Sequence, residues 1–195
     1  MGYSIERLSD LESKYLEGVT KVFGECFGHM FKGFTEDIDL LATSFGNSFV
    51  KDKCYVYLEG DEVIGFVSCS SLDGRAMKID KEPFQKNFGK IKGKIFAWQI
   101  EKIMCKVLVK SNREGYIDFL GVSSRQQRKG IGETLMRYIH QNEDYDKFIL
   151  EVLASNLNAK KLYEKVGYKA IKEEKNIFMT LGGQGTAFIM EYIKE

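Results

Sequence analysis

The octapeptide RQQRKGIG gathers Arg125, Arg128 and Lys129 around two glycines, between a strand-like run ending at Val122 and a helix-like run that follows. Such a string can do anion chemistry. At the start of a helix the first N–H groups lack partners and the dipole is positive. Gly130 and Gly132, having no side chains, would let phosphate oxygens approach those amides closely. Arg128 and Lys129 add charge, and Arg125 could reach a second phosphate. On these residues alone, a pyrophosphate cradle and a solvated connection both stay open. Two other phosphate sites fail on spacing: no GxxxxGK is followed by Ser or Thr, and Leu135 stands where a dinucleotide-binding GxGxxG turn needs its third glycine.

Two carboxylates stand inside strand-like runs, Asp118 in YIDFL and Glu151 in LEV, and a tyrosine, Tyr163, stands in KKLYEK. Strand alternation predicts Glu151 on the face opposite Leu150 and Val152, and Asp118 on the face of Tyr116 and Leu120. The elements that must position them follow from periodicity. Tyr116 to Val122 reads as a strand, Ser123 to Lys129 as a loop, Gly130 to Asn142 as a helix, Lys147 to Ala154 as a strand and Asn156 to Val166 as a helix. This is a βαβ unit with parallel strands, and it puts the RQQRKGIG loop at the carboxyl end of its first strand, where α/β sheets bind ligands.

Upstream, Tyr3 to Leu8 reads as a strand, with Ser9 or Asp10 suited to cap the helix after it. That helix carries Leu11, Tyr15, Val19, Val22, Phe23, Cys26, Phe27 and Met30 on one apolar face. A second helix is expected from Thr35 to Phe45. KCYVYLEGDEVIGFVSCSS reads as a hairpin turning at Glu59, Gly60 and Asp61. Leu72 to Arg113 is rich in lysine and holds the single proline, Pro83. Within it, KIFAWQIEKIMCKVLVK predicts one amphipathic helix with Ile95, Phe96, Ile100, Ile103, Met104, Val107 and Leu108 on its packed face. Two strand-like runs, Tyr168 to Met179 and Thr186 to Lys194, flank the turn LGGQG. The expected architecture is one α/β domain over residues 1–195, built on a mixed sheet.

QRKGIG, Gln127 to Gly132, together with the preceding strand, resembles the QxxGxG acyl-CoA motif of the GNAT superfamily of N-acetyltransferases. LEVLASNLNAKKLYEKVGY resembles the second half of that motif set, with Asn156, Ala159, Leu162, Tyr163 and a closing Gly-Tyr. The resemblance is tight from Tyr116 to Tyr168 and weak from Leu72 to Arg113, which would be a helical insertion between the third and fourth strands. It implies acetyl-CoA as acyl donor, CoA as product, and a sheet whose strands at Tyr116 to Val122 and Lys147 to Ala154 splay apart. It further implies that the pantetheine arm bonds to backbone at Leu120, Gly121 and Val122. The diphosphate would take the amides of Gln127, Arg128, Lys129, Gly130, Ile131 and Gly132, with Arg125 outside that core. Asn156 would contact the cofactor or fix the loop beside it, a role compatible with capping a helix. A backbone N–H near Leu120 would stabilise the oxyanion, and Tyr163 would protonate the departing thiolate. The base is Glu151, Asp118 or solvent.

The remaining composition narrows the setting. A net charge of +1 gives no global field for nucleic acid or an anionic membrane. The phenylalanines interleaved with lysine in KIDKEPFQKNFGKIKGK read as a packing face before they read as stacking groups. Four cysteines without a CxxC pair read as reduced core thiols, and two distant histidines argue against a metal site. No apolar run reaches the roughly 18 residues of a membrane span. The expectation is a cytoplasmic enzyme, monomer or homodimer, acting on a small-molecule or peptide amine. Its alternative is a non-catalytic acyl-CoA sensor of the same fold.

Overall fold

The computed structural model describes residues 2–105, 108–175 and 185–194. Strand β1 (Tyr3–Arg7) leads into a single 3-10 turn (Leu8–Asp10) and then helix α1 (Lys14–Phe27), so Ser13 rather than Ser9 or Asp10 stands at the helix N-cap. The expected apolar face of α1 packs inward through Tyr15, Val19, Val22 and Phe23. Helix α2 (Ile38–Phe45) begins later than Thr35 because the Asp37 carboxylate caps it, accepting the Leu40 N–H at 2.9 Å. β2 (Cys54–Glu59) and β3 (Glu62–Ser70) form the expected hairpin, turning through Gly60 at φ 61°.

Between β3 and β4 (Glu114–Val122) the chain builds two helices where one was expected, α3 (Lys81–Phe88) and α4 (Lys90–Met104). Asp80 caps α3 by accepting the Glu82 N–H at 3.1 Å, and Pro83 falls in its first turn, where a missing N–H costs nothing. The two helices press together at Gly93, where a Cβ would stand 2.1 Å from the Phe84 carbonyl oxygen. Gly93→Ala should therefore lower the unfolding free energy by about 1–3 kcal/mol through overpacking, read as a reduced urea midpoint at unchanged m-value. The same close approach corrects the expected packed face. Phe96, Ala97, Ile100 and Met104 are buried along with Gly93, whereas Ile95 is exposed with Ile91 and Trp98. Val107 lies outside the described residues.

The chain closes with α5 (Ile131–Asn142), β5 (Lys147–Leu153), α6 (Leu157–Lys165), β6 (Lys169–Lys175) and β7 (Thr186–Ile193). In the LGGQG turn, residues 181–184 lie outside the described residues, as does the end of the strand expected to reach Met179. The seven strands form one mixed sheet in the order β1-β2-β3-β4-β5-β7-β6, in which β4 and β5 run parallel and the other described pairs antiparallel. Each face of the sheet has its own core. On one, Val19, Phe23, Phe45, Phe84 and Phe96 from the first four helices meet Phe66 and Phe119 of the sheet. On the other, Leu135 and Ile139 of α5 and Tyr163 of α6 meet Ile64, Ile117, Phe148 and Leu150. Among the described residues, no helix is long and apolar enough to cross a membrane.

Candidate active site

The β4–β5 ladder joins Glu114–Ile117 to Lys147–Leu150 and goes no further. Beyond it β4 stays with β3 and β5 stays with β7, so the two strands part and leave a cavity of about 590 Å³ between them. The opening has a local cause in β4. Phe119 faces Ser68 and Ile117 faces Cys69, so two consecutive β3 residues are opposed by three on β4 and Asp118 is the extra residue of a β-bulge. The bulge overturns the expected alternation along β4. Ile117 and Leu120 both join the core under α5, whereas Phe119 joins the core under α1. Tyr116, adjacent to Ile117, thus faces away from Leu120's side, and the two do not share a face with Asp118 between them.

Asp118 is held from two sides. Its Oδ1 accepts from Arg75 Nε at 2.6 Å and its Oδ2 from the Ser70 hydroxyl. Its side chain is wholly buried and that of Arg75 nearly so. Burial pushes the Asp118 carboxyl up, and Arg75 and Ser70 pull it the other way. The Arg75 guanidinium also lies over the Tyr116 ring, 4.9 Å from its centroid. Glu151 lines the same cavity from β5, on the face opposite Leu150 and Val152, which are packed under α5; this is the alternation expected of it. Tyr163 reaches the cavity from α6 on the other face. Burial raises its phenol to about 12. No described side chain or backbone group is hydrogen-bonded to its hydroxyl, and desolvation alone shifts it.

Asn156 lines the cavity and caps α6, its side chain accepting the Ala159 N–H at 3.1 Å. The capping role open to Ser155 or Asn156 is thus filled by Asn156, and it orients the helix that carries Tyr163.

The loop from β4 to α5 is fixed at its start by α1. Glu25 accepts from the Ser123 hydroxyl at 3.1 Å and from the Ser124 N–H at 3.0 Å. The Val122 carbonyl accepts from the Cys26 thiol at 3.3 Å and from Gln127 Nε2 at 3.2 Å. Ser123 N–H bonds to Ile64 of β3, so the backbone groups of Val122, and by alternation of Leu120, point away from β3 toward the opening. Arg128 and Gly130 both adopt positive φ, at 65° and 84°. Left-handed residues interleaved with others turn successive N–H groups to one side, the arrangement of an anion-binding nest. The first bond of α5 is Thr134 N–H to Gly130 O, and among the described residues no backbone carbonyl or side chain takes the N–H groups from Gln127 to Glu133. Gly132 packs closely: a Cβ there would lie 3.1 Å from Leu162 Cδ2, which would have to give way slightly. Arg125 turns aside into a separate cleft with Lys14, Lys21 and Asp61.

Sequence reasoning missed the opposite wall of the cavity. Cys26, Phe27, Met30 and Phe31 come from α1 and the turn after it, Ile103 and Met104 from α4, and Leu108 from the segment that follows. The apolar periodicity of both helices was legible, but not that their ends meet beside β4. Arg75 carried no signal, because a lone arginine in a turn gains meaning only from the carboxylate it meets. Among the described residues no three His, Cys, Asp or Glu side chains cluster as metal ligands would, and the cysteines are free thiols.

Residues 16–168 match the model of the acetyltransferase (GNAT) family. A 71-residue stretch, 34% of this chain, is 41% identical to N-alpha-acetyltransferase 30 of Xenopus laevis and 39% identical to that of Homo sapiens. The match takes in only 26% and 20% of those proteins' lengths. Among solved structures, an N-acetyltransferase from Staphylococcus aureus Mu50 superimposes with a TM-score of 0.65 at 16% identity, over 97% of this chain and 100% of that one. Ard1 from Thermoplasma volcanium superimposes with a TM-score of 0.60 at 17% identity, over 100% and 99%. At these identities the structural likeness speaks for the fold.

Proposed function

The chain belongs to the GNAT acetyltransferase family, and from that premise we propose that it transfers the acetyl group of acetyl-CoA to a primary amine of a small molecule or peptide by direct attack in a ternary complex. The observation that carries this reading is the opening between β4 and β5, with a run of amides that no described group takes near one end and Glu151 and Tyr163 on its opposite walls.

The amides from Gln127 to Gly132 fit a diphosphate, since Gly130 supplies the left-handed turn and Gly132 the close approach. The backbone of Leu120 and Val122, turned away from β3 beyond the end of the β4–β5 ladder, fits the amides of a pantetheine arm, with Gly121 between them. Bound there, acetyl-CoA would supply an activated thioester. The chain's own residues then have three tasks. Glu151 takes a proton from the attacking amine, directly or through water, because amines of pKa about 8–10 are mostly protonated at neutral pH. Asp118 is the weaker candidate for that task, since both of its oxygens already accept hydrogen bonds. The Leu120 N–H stabilises the oxyanion, and Tyr163 donates its proton to the departing sulfur.

The test is release of free thiol from acetyl-CoA in the presence of a panel of primary amines. Glu151→Gln is expected to lower kcat by roughly 10- to 100-fold at neutral pH. The deficit should shrink as pH rises through the acceptor's own pKa, where the amine no longer needs a base. Equal rates for the two proteins across that range would remove Glu151 from the mechanism. Tight acetyl-CoA binding with no turnover on any amine would favour an acyl-CoA sensor.

A further inference from the structure

Helix α4 is packed on one side and open on the other. Gly93, Phe96, Ala97, Ile100 and Met104 are buried. At about 100° per residue, the direction opposite to them belongs to Ile91, Ile95, Trp98 and Lys102, a single row along the helix. Ile91 is 76% exposed, Ile95 52% and Trp98 53%. Scattered exposed apolar side chains are ordinary, but three in one row on the outermost line of a helix form a ridge that marks an interaction site.

The charges beside the ridge have one sign. Lys90 and Lys94 lie along one flank, Lys92 lies along the other and Lys102 continues the row, and all four are exposed. The carboxylate of α4, Glu101, is paired with Lys81 at 2.7 Å. Among the described residues no ion pair holds any of the four lysines, and Lys102 Nζ lies 5.9 Å from the Trp98 ring centroid. The acidic run Glu36, Asp37 and Asp39 belongs to the start of α2, which packs on α1 and α3. The net charge of +1 therefore conceals a local cationic excess on this face.

We propose that the outer face of α4 docks the protein on an anionic lipid bilayer, with Ile91, Ile95 and Trp98 entering the interface and the four lysines meeting headgroup phosphates. A convex ridge needs no matching groove in a fluid partner, whereas a rigid protein partner must supply one. Tryptophan favours the boundary between headgroups and acyl chains, and lysine stems reach back from there to phosphate. Anionic lipid adds attraction for each lysine near the surface. A second copy of the chain fits less well, because a two-fold pairing of such ridges sets lysine against lysine. Nucleic acid would satisfy the lysines and leave the isoleucines uncovered.

Trp98 is the single tryptophan of the chain, so its fluorescence reports on this ridge alone. The experiment mixes the full chain with vesicles of phosphatidylcholine, or of an equimolar mixture of phosphatidylcholine and phosphatidylglycerol, and reads cosedimentation and Trp98 emission. The anionic vesicles should retain at least about tenfold more protein and shift the emission to the blue, and brominated acyl chains should quench it. Two variants are compared by cosedimentation: Ile91→Ser with Ile95→Ser, and Lys90→Gln, Lys92→Gln, Lys94→Gln and Lys102→Gln together. Each should lower binding at least about fivefold with the urea midpoint unchanged, since the altered side chains are exposed. The second variant serves if the first does not fold. No binding, equal binding to the two vesicle types, bound protein whose emission bromine leaves unquenched, or unaltered binding in both variants would each overturn the proposal. So would a blue shift that grows with protein concentration without lipid, which would put a second copy on the ridge, or tighter binding to a duplex oligonucleotide than to anionic vesicles.

Discussion

Replacing Tyr163 with phenylalanine is expected to lower kcat by roughly 10²–10³-fold while the Kd for acetyl-CoA changes less than threefold, because positioned proton donors contribute about that much and the ring's packing is retained. The phenol is suited to the task by its surroundings. Burial raises it to about 12, so it stays protonated throughout the range in which an amine becomes nucleophilic. A thiolate whose thiol has an ordinary pKa near 8.5 is a weaker base than this phenol's conjugate, so complete transfer is uphill and the phenol helps by the hydrogen bond it donates to the developing thiolate. The wild-type rate should accordingly show no falling limb from Tyr163 below pH 10. In Tyr163→Phe the rate should rise with leaving groups of lower thiol pKa, which need no donor. A variant with undiminished kcat would reduce Tyr163 to a packing residue between α6 and the sheet.

Arg75→Met should be the most destabilising single change at the site, by about 3–5 kcal/mol, because it strands a fully buried carboxylate. The effect depends on pH with a defined sign. Burial already pushes the Asp118 carboxyl up, and without Arg75 the largest opposing influence is gone. The folded variant would then hold a proton that the unfolded chain releases near pH 4, so its stability is greatest at acid pH and falls as pH rises. Urea melts of the variant relative to wild type should show a larger deficit at pH 8 than at pH 5. Adding Asp118→Asn should recover part of the loss, since an amide can still bond Ser70 without carrying charge. An equal deficit at both pH values would mean that Arg75 stabilises by packing on Tyr116 and not by pairing with Asp118.

Much of the candidate site was legible because its parts are local in sequence. Gln127 to Gly132 lie within one loop and the start of one helix, and the left-handed Gly130 and closely packed Gly132 are the residues that such a turn requires. Asn156 and Tyr163 likewise belong to one helix, so the cap and the phenol come as a unit. The parts that were not legible depend on chain crossings. The bulge at Asp118 is a mismatch between β3 and β4 that neither strand announces alone, and it reverses the face of every residue after it. The division of the lysine-rich segment into α3 and α4 turned on Gly89 and on Gly93 packing against Phe84, which a hydrophobic period does not register. The cavity wall opposite α6 arises where α1 ends beside α4, two helices far apart in sequence whose periodicity predicted that each would be packed, but not against what.

Isothermal titration of the chain with acetyl-CoA, alongside Gly130→Val and Arg125→Ala, tests the central claim most directly: that the amides at the start of α5 hold the diphosphate of an acyl-CoA. Saturable one-to-one binding of acetyl-CoA and of CoA is expected. Gly130→Val, which a positive φ of 84° disfavours, should weaken it at least tenfold, and Arg125→Ala should leave it within twofold. No saturable heat with either ligand from the folded wild-type protein, or binding lost in Arg125→Ala and kept in Gly130→Val, would show that these amides do not hold an acyl-CoA diphosphate.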